Sequence, residues 1–367
     1  MKKIYLPLAA VVALTSCSQD DLMNNTDSQA SDAIGVNVFV PTASRGTAYN
    51  STADFNKDGN TFDLIAIKGG SIFKPIMKSE TDDYENVTKG VEFIYKNGSW
   101  DYKNDSEIHF WTEAISSTVT FYAVAPANPT GLTKEFNPGD WEKLHYTVPN
   151  DCSKQVDLMY ATATVEVDKD GNPTQNGVNC KDGVNIEFKH ALSQILFKAK
   201  TENSKLYAKI TNITVNNVCS KGTFTFTQND QGSVNDVYAW TVPDSGNGQD
   251  TKIYQAILNG NTKIENTATD ILEEPLLLMP QKLNNLAGQR SIDVAFSLYI
   301  NGSNDPIYSD TLNVALTGEW KAGYKYTYTL IFSNELANPI KIGNVAVDDW
   351  TDDNENNNMS LNNSSNS

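Results

Sequence analysis

The sequence is poor in the residues from which enzymes usually build catalytic and metal sites. It has three histidines, His109, His145 and His190, and they lie far apart in the chain. It contains no Gly-x-Ser-x-Gly elbow, no His-Glu-x-x-His zinc motif and no glycine-rich phosphate loop. A Ser-His-Asp triad assembles in space, so these absences argue against catalysis without excluding it. We assign no catalytic residue, no metal ligand and no cofactor.

Two further shortages limit the partners of the chain. After the first residues, no segment reaches the roughly 18 apolar residues that mark a transmembrane helix. Basic residues are also scarce, with 28 Lys and Arg against 45 Asp and Glu and a formal net charge of −17. Because phosphate binding depends on clustered Lys and Arg, nucleic acid and anionic lipid are unfavourable partners.

Cysteine is equally rare, since the chain has only Cys17, Cys152, Cys180 and Cys219. The last three can form at most one disulfide within one chain. Disulfides are therefore not expected to hold the fold together.

The N-terminus has the organisation of an export signal. Lys2 and Lys3 precede an apolar run from Ile4 to Leu14. At about 1.5 Å per residue this run is too short to cross a hydrocarbon core of about 30 Å, so residues 1–16 are predicted to be a signal peptide that is removed.

The signal ends in Leu14-Thr15-Ser16-Cys17, which resembles a lipobox. Lipoprotein processing needs a cysteine thiol, small residues before it and a leucine three positions upstream, and Cys17 meets all three conditions. Cys17 is therefore the predicted lipidation site, and its acyl chains would hold the chain at a membrane surface. The alternative is an ordinary signal peptide with an incidental cysteine.

Most of the remaining chain alternates apolar and other residues with a period of two, which is typical of β-strands. Ile292, Val294, Phe296, Leu298 and Ile300 show this pattern most regularly. Asn97-Gly98 lies between two such segments and predicts a β-hairpin with a tight primed turn. Because no amphipathic helix longer than two turns is evident, the fold class is predicted to be all-β, with two tandem β-sandwich domains.

Polar segments divide the chain. The predicted parts are a lipidated flexible tether over 17–31, an N-terminal domain over 32–182, a C-terminal domain over 183–350 and a disordered acidic, Asn-rich tail over 351–367. The stretch between Ala127 and Ser153 is rich in Pro, Gly and Asn and is interpreted mainly as loop. The segment Ile340–Val347 is predicted to be one final strand.

Two features that resemble functional sites have plainer interpretations. Residues 54–59 match the opening of a calcium loop, but Ile65 stands where a bidentate glutamate is needed, so a turn is the better interpretation. His190 lies at an apparent strand junction, where a packed or hydrogen-bonded histidine is expected.

Several motifs in a fixed order resemble the fimbrillins, the subunits and anchors of Bacteroidetes pili. They are Phe121-Tyr122-Ala123-Val124-Ala125-Pro126, Asp157-Leu158-Met159-Tyr160-Ala161, Phe188-Lys189-His190-Ala191-Leu192-Ser193-Gln194-Ile195 and Val345-Ala346-Val347-Asp348-Asp349-Trp350. The resemblance extends from about residue 34 to residue 350. It implies two transthyretin-like β-sandwich domains and assembly by strand exchange after a protease has cut behind an arginine. The acidic Ser18-Gln19-Asp20-Asp21 resembles the signal that sends such lipoproteins to the outer face of the outer membrane.

The resemblance also suggests which residues take part in assembly. The cut would fall between Arg45 and Gly46, although Arg45 also fits an ordinary surface arginine. The removable first strand would carry Ile34, Val36, Val38 and Val40. The candidate donor strand would carry Ile340, Ile342, Val345 and Val347, and the alternative is that it stays paired within its own domain.

We therefore expect a structural or adhesive pilus subunit at the cell surface, not an enzyme. Its partners would be other pilus subunits, the outer membrane through the lipid and a host or bacterial surface ligand. One alternative is a carbohydrate-binding or host-adhesion surface lipoprotein that does not polymerise. The least favoured alternative is an extracellular hydrolase.

Overall fold

The computed structural model describes residues 33–40, 49–69, 74–79, 87–137, 142–226, 240–243, 250–260, 262–283, 290–333, 340–343, 345–350 and 357–358. Cys17, Arg45 and Gly46 lie outside these ranges, so lipidation and proteolytic processing stay predictions.

Strands dominate the described part of the chain. In the first half they are β1 (Val36–Phe39), β2 (Thr61–Lys68), β3 (Lys74–Met77), β4 (Val91–Lys96), β5 (Ser99–Tyr102), β6 (Thr118–Ala125), β7 (Leu132–Glu135), β8 (Lys143–Thr147), β9 (Met159–Val167), β10 (Pro173–Gln175), β11 (Val178–Asn179) and β12 (Val184–Glu187). The helical elements are α1 (Thr52–Phe55) and two single 3-10 turns, Asp105–Glu107 and Cys152–Lys154.

The second half contains only strands among its described elements. They are β13 (Lys189–His190), β14 (Ser193–Thr201), β15 (Leu206–Cys219), β16 (Lys221–Thr225), β17 (Trp240–Thr241), β18 (Thr251–Gln255), β19 (Thr269–Asp270), β20 (Leu276–Leu278), β21 (Gln281–Lys282), β22 (Ser291–Ile300), β23 (Pro306–Ala315), β24 (Glu319–Trp320), β25 (Tyr324–Phe332), β26 (Ile340–Ile342), β27 (Ala346–Asp349) and β28 (Asn357–Asn358). The all-β prediction is confirmed.

A nine-stranded sheet forms the centre of the first half. Its main path is β11-β10-β9-β6-β2-β4-β5, with β13 paired to β9 and β3 paired to β2. The predicted hairpin joins β4 to β5, and Asn97 and Gly98 take φ values of 54° and 90°. Asparagine and glycine tolerate positive φ, which a primed turn requires, so the hairpin prediction is confirmed.

The second half places two sheets face to face. In one, β14 runs parallel to β25, and in the other β15 and β22 are antiparallel neighbours. The rings of Phe296 on β22 and Phe332 on β25 approach to 5.0 Å between the sheets. This contact lies inside a core that also buries Ile195, Phe197 and Val294.

The expectation of a loop between Ala127 and Ser153 is wrong. β7 and β8 form a hairpin there, and β8 pairs with β16 from the second half, placing Leu144 opposite Phe224. Leu144 and Tyr146 are buried on one face of β8. The strands are too short for their alternation to stand out in the sequence.

Apolar residues of the described chain form two core clusters. The first core lies within residues 34–188, and the second core is built mainly from residues 191–350. Strand β2 contributes to both, because Phe62 and Leu64 face the first core whereas Ile65 and Ile67 face the second. The domain boundaries proposed from the sequence stay a prediction.

Candidate functional site: the first strand and its groove

The first strand, β1, pairs with a single neighbour. It runs parallel to β12, with Val36 opposite Val184 and Val38 opposite Ile186. Four register pairs form this two-stranded sheet, and no other described strand is hydrogen-bonded to β1 as a ladder. Parallel pairing is slightly weaker per residue than antiparallel pairing. β1 is therefore held mainly by the packing of its side chains and by hydrogen bonds at its two ends.

The side chains around β1 alternate between the core and the surface. Ile34, Val38 and Val40 are 1%, 5% and 3% exposed, Val36 is half-buried and Phe39 is 48% exposed. The three buried side chains belong to the first core. This is the period-two pattern in which one face of a strand fills a sandwich and the other faces outward.

Aromatic residues line the core into which β1 packs. Phe188, which follows β12, contacts Phe55 and Phe62 with ring centroids 5.4 Å apart in each case. All three are completely buried. If β1 left, its own side-chain sites in this core would open to water.

The N-terminal end of β1 is anchored by the loop that follows β5. The backbone N–H of Ile34 donates to the carbonyl of His109 at 2.8 Å. The Tyr102 hydroxyl donates to the carbonyl of Ile34 at 2.9 Å. Burial raises the pKa of Tyr102 far above its ordinary value, so the hydroxyl stays a neutral donor.

A cleft of about 390 Å³ separates the start of β1 from β5. It is lined by Ala33, Gly35, Phe93, Trp100, Tyr102 and Ile108, with Asp101, Lys181 and Asp182 beside them. The cleft thus lies beside the residues that immediately precede β1 and β12.

The segment predicted as one final strand is divided in two. Both β26 and β27 pair antiparallel with β25, β26 at Leu330–Phe332 and β27 at Tyr324–Thr327. Ile340 and Val345 are buried, whereas Ile342 and Val347 are half-buried. Gly343 lies between the strands, where a Cβ would come within 2.9 Å of the Ile331 side chain. The sequence pattern could not show this close approach.

Three of the sequence motifs meet at one buried cluster. His190 Nδ1 lies 3.0 Å from Asp157 Oδ1, and the His190 ring stacks on the Trp350 ring with centroids 3.9 Å apart. The other carboxylate oxygen of Asp157 accepts the backbone N–H of Tyr49 at 3.0 Å. The expectation of a packed, hydrogen-bonded His190 is confirmed. We call these four residues the Asp157 cluster.

The segment that resembles a calcium loop has a structural role. Ser51 caps α1 by accepting the backbone N–H of Asp54 at 3.1 Å. The Asp54 carboxylate accepts hydrogen bonds from Lys57 and from the Ser51 hydroxyl, and mainly the Lys57 bond lowers its pKa. Its oxygens therefore serve the helix cap and the ion pair. Within the described ranges, no group of three or more His, Cys, Asp or Glu residues is placed to hold a metal ion.

Cys152, Cys180 and Cys219 are free cysteines. Among the described residues there is no helix with the length and apolar character needed to span a bilayer.

A model of the fimbrillin-like family matches residues 23–350. The chain belongs to the fimbrillin-like family. Among solved structures, it resembles a fimbrial protein from Bacteroides vulgatus, with a TM-score of 0.59 and 17% identity over 87% of this chain and 100% of that one. A candidate cell adhesion protein from Bacteroides uniformis shows a TM-score of 0.48 and 15% identity over 87% and 99% of the two chains. No curated protein sequence matches significantly.

Membership of the fimbrillin-like family identifies the chain as a fimbrial or adhesion subunit that works at the cell surface, and as a structural protein rather than an enzyme. The sequence motifs located Asp157, His190 and Trp350 but did not predict that they touch. Tyr102 and Thr52, which anchor the two ends of β1, were not found from the sequence. A buried tyrosine and a helix-start threonine have no distinctive pattern around them.

Proposed function

We propose that this fimbrillin-like chain is a lipid-anchored surface subunit that polymerises by strand exchange. In this proposal the chain is exported, lipidated at Cys17 and cut between Arg45 and Gly46. β1 then leaves, and a strand from another subunit takes its place beside β12. The supporting observation is the structure of β1, a four-residue parallel strand with one neighbour whose alternate side chains fill the first core.

The energetics of β1 favour replacement over an empty groove. Each fully buried aliphatic side chain contributes about 1.5–3 kcal/mol through the apolar area it removes from water. Loss of Ile34, Val38 and Val40 would therefore leave a costly exposed groove in a core that is otherwise packed. An extended segment with apolar residues at alternate positions restores both the burial and the ladder hydrogen bonds.

The candidate donor is the segment from Ile340 to Val347 of a second copy. Its two short strands, β26 and β27, bond to one edge of β25, and Ile340 and Val345 supply buried side chains. Among the described strands, β26 has β25 as its ladder partner, whereas β27 pairs with β25 and with the two-residue β28, so the segment is held by short ladders. The alternative, that the segment stays paired with β25, is distinguished by the test below.

Limited proteolysis tests the exchange. The chain from Cys17 onward, with Cys17→Ser, is treated briefly with trypsin beside an Arg45→Ala control. We expect cutting at Arg45, release of the fragment with β1 and fibres visible by electron microscopy. The control should release no such fragment and form no fibres. A cut core that unfolds, or one that stays monomeric, would contradict the proposal.

A further variant tests the donor. Replacing Ile340 and Val345 by Asp should loosen their own segment from β25, because both are buried in the second core. Cutting and β1 release should continue, but fibre growth should stop, because carboxylates cannot occupy the apolar groove. Fibres that still form would show that another segment is donated. Saturable binding on a glycan array without any fibres would favour the carbohydrate-binding alternative.

The anchor is tested in cells. Full-length chain expressed in a Bacteroides host should be labelled by an alkyne fatty acid and recovered with the outer membrane. Cys17→Ala should lose the label and appear in the soluble fraction. Surface protease treatment of intact cells should then digest the anchored wild-type chain.

A further inference from the structure

The two ends of β1 are held in different ways. At the N-terminal end, the Tyr102 hydroxyl and the Ile34–His109 backbone bond act together. At the C-terminal end, no strand partner extends as far as Val40, because the pairing with β12 stops at Phe39 opposite Glu187. The backbone of Val40 is instead satisfied by a side chain.

That side chain is Thr52. Its hydroxyl oxygen accepts the backbone N–H of Val40 at 2.9 Å and donates to the carbonyl of Val40 at 3.0 Å. A hydroxyl carries one donor and two acceptor positions, so it can satisfy both backbone groups of one residue at the same time. Thr52 therefore replaces a β-ladder partner at the last position of the strand. We call this pair of bonds the Thr52 bridge.

Thr52 is fixed to the body of the protein independently of β1. It opens α1, whose Phe55 is completely buried and whose ring lies 4.8 Å from that of Tyr49 and 5.4 Å from that of Phe188. The Tyr49 backbone is bonded to Asp157 in turn. Thr52 thus stays in place when the chain is cut before residue 49.

We infer that the Thr52 bridge controls how fast β1 leaves after the chain is cut at Arg45, and that release proceeds from Val40 towards Ile34. Thr52 is then a positioning residue for strand release. This inference rests on the proposed function. A cut at Arg45 makes a new chain end close to Val40, and strands open most easily from their ends. The Thr52 bridge is the first attachment that an opening strand meets from that side.

The Thr52 bridge has different effects before and after the cut. Before the cut, the Thr52 bridge closes the C-terminal end of β1 and protects the core from premature opening. After the cut, that end is held by the two bonds of the Thr52 bridge, which come from a half-buried side chain, and by the bond from the Phe188 backbone N–H to the Phe39 carbonyl at 2.8 Å. The Tyr102 bond at the other end is buried, so it opens last.

Three variants of the chain starting at Cys17→Ser test the inference. Thr52→Val removes the hydroxyl and keeps the shape, Thr52→Ser keeps the hydroxyl, and Tyr102→Phe removes the hydroxyl bond at the N-terminal end while the Ile34–His109 backbone bond stays. Each is cut with trypsin, and release of the N-terminal fragment is followed by mass spectrometry of timed gel-filtration fractions. Thermal unfolding of the separated core is measured in parallel.

We expect Thr52→Val to release the fragment roughly tenfold faster than wild type, which corresponds to the loss of two ordinary hydrogen bonds. Thr52→Ser should behave like wild type, and Tyr102→Phe should accelerate release less than Thr52→Val. Cutting rates and the melting temperature of the separated core should be equal in the wild type and both Thr52 variants, since the bridge acts only on β1.

Three results would overturn the inference. Equal release from Thr52→Val and wild type would show that the bridge does not limit departure. Faster release from Tyr102→Phe than from Thr52→Val would show that opening starts at Ile34. Failure of β1 to leave any cut variant would overturn strand exchange itself and the inference with it, whereas release at equal rates with normal fibre growth would overturn the inference alone.

Discussion

A buried ion pair joins the β7–β8 hairpin to the central sheet. Lys134 Nζ lies 2.8 Å from Asp63 Oδ2, and the two side chains are 3% and 1% exposed. Lys134 also donates to Asn128 Oδ1 at 2.8 Å, and Asp63 accepts the backbone N–H of Gly90. Burial is the largest influence on the Asp63 carboxyl and raises its pKa, although Lys134 opposes the shift. Each buried charge is therefore stabilised by the other, and removal of one residue leaves the other charge unpaired.

Lys134→Met should strongly destabilise the protein because it leaves Asp63 buried without its cation. We expect the free energy of unfolding to fall by about 3–5 kcal/mol in urea denaturation monitored by tryptophan fluorescence. The double variant Asp63→Leu with Lys134→Met serves as the control and should recover much of the loss. Wild-type stability in the single variant would mean that water reaches the Asp63 carboxylate.

Glu142 offers a pH test at the start of β8. Burial raises the pKa of its carboxyl above the ordinary value. The contribution of a group with a raised folded pKa is fully present below its unfolded pKa and is lost as the pH rises through the folded pKa. Glu142→Gln should therefore increase the free energy of unfolding at pH 7.5 and change it little at pH 3.5. The exposed Glu187→Gln should have little effect in the same denaturation series, and a stability loss at pH 7.5 in Glu142→Gln would refute this account.

At the level of elements, β1 should respond very differently to changes on its two faces. Val38 is 5% exposed within the first core, whereas the neighbouring Phe39 is 48% exposed. Val38→Asp places an unpaired carboxylate in an apolar site, which costs several kcal/mol, so β1 should detach while the rest of the chain stays folded. Hydrogen exchange should show lost protection at residues 36–40.

The matched variant for this prediction is Phe39→Asp. It introduces the same charge one residue further along but on the exposed face. Protection of β1 should stay close to wild type. Similar exchange in both variants would show that the core does not hold the strand.

Sequence reasoning succeeded where a turn motif or a long, regular alternation marks the element. Asn97-Gly98 encodes its own turn, and the regular alternation from Ile292 to Ile300 matches β22. It missed the β7–β8 hairpin, because both strands are too short for their alternation to stand out. It also missed the pairing of β8 with β16, about 80 residues further along the chain, because nothing local reveals a pairing at that distance. It failed similarly at Gly343, which lies at the break between β26 and β27 and where a Cβ would come within 2.9 Å of the Ile331 side chain.

The same limit applies to the candidate site. Alternation in the sequence placed Ile34, Val36, Val38 and Val40 on one face. Ile34, Val38 and Val40 are buried, and Val36 is half-buried. The parallel pairing with β12 and the Thr52 bridge depend on segments that only tertiary structure brings to β1. The order of the motifs placed Asp157 and Trp350 in the family pattern but gave no sign that both residues contact His190.

At the scale of the whole molecule, the second core extends into the first half of the sequence. Leu144 on β8 is completely buried there, and its strand pairs with β16. Leu144→Ala should cost about 2–5 kcal/mol, as expected for a large-to-small change in a core. Hydrogen exchange should report the loss in both β8 and β16.

Thr147→Ala is the control for this prediction, because Thr147 is exposed on the same strand. It should leave exchange in β16 unchanged. If Leu144→Ala loosened β8 alone, the two halves would unfold more independently than their shared core indicates.

The Asp157 cluster has a mechanical consequence. The backbone of Tyr49 is connected to the ring of Trp350 through the side chains of Asp157 and His190. Trp350 is the last residue of the matched family region. In a filament under tension, the Asp157 cluster would share a pull between these two points with the Trp350–Gly323 backbone bond and the pairing of β27 with β25. The cluster would then resist stretching together with the β-structure around it.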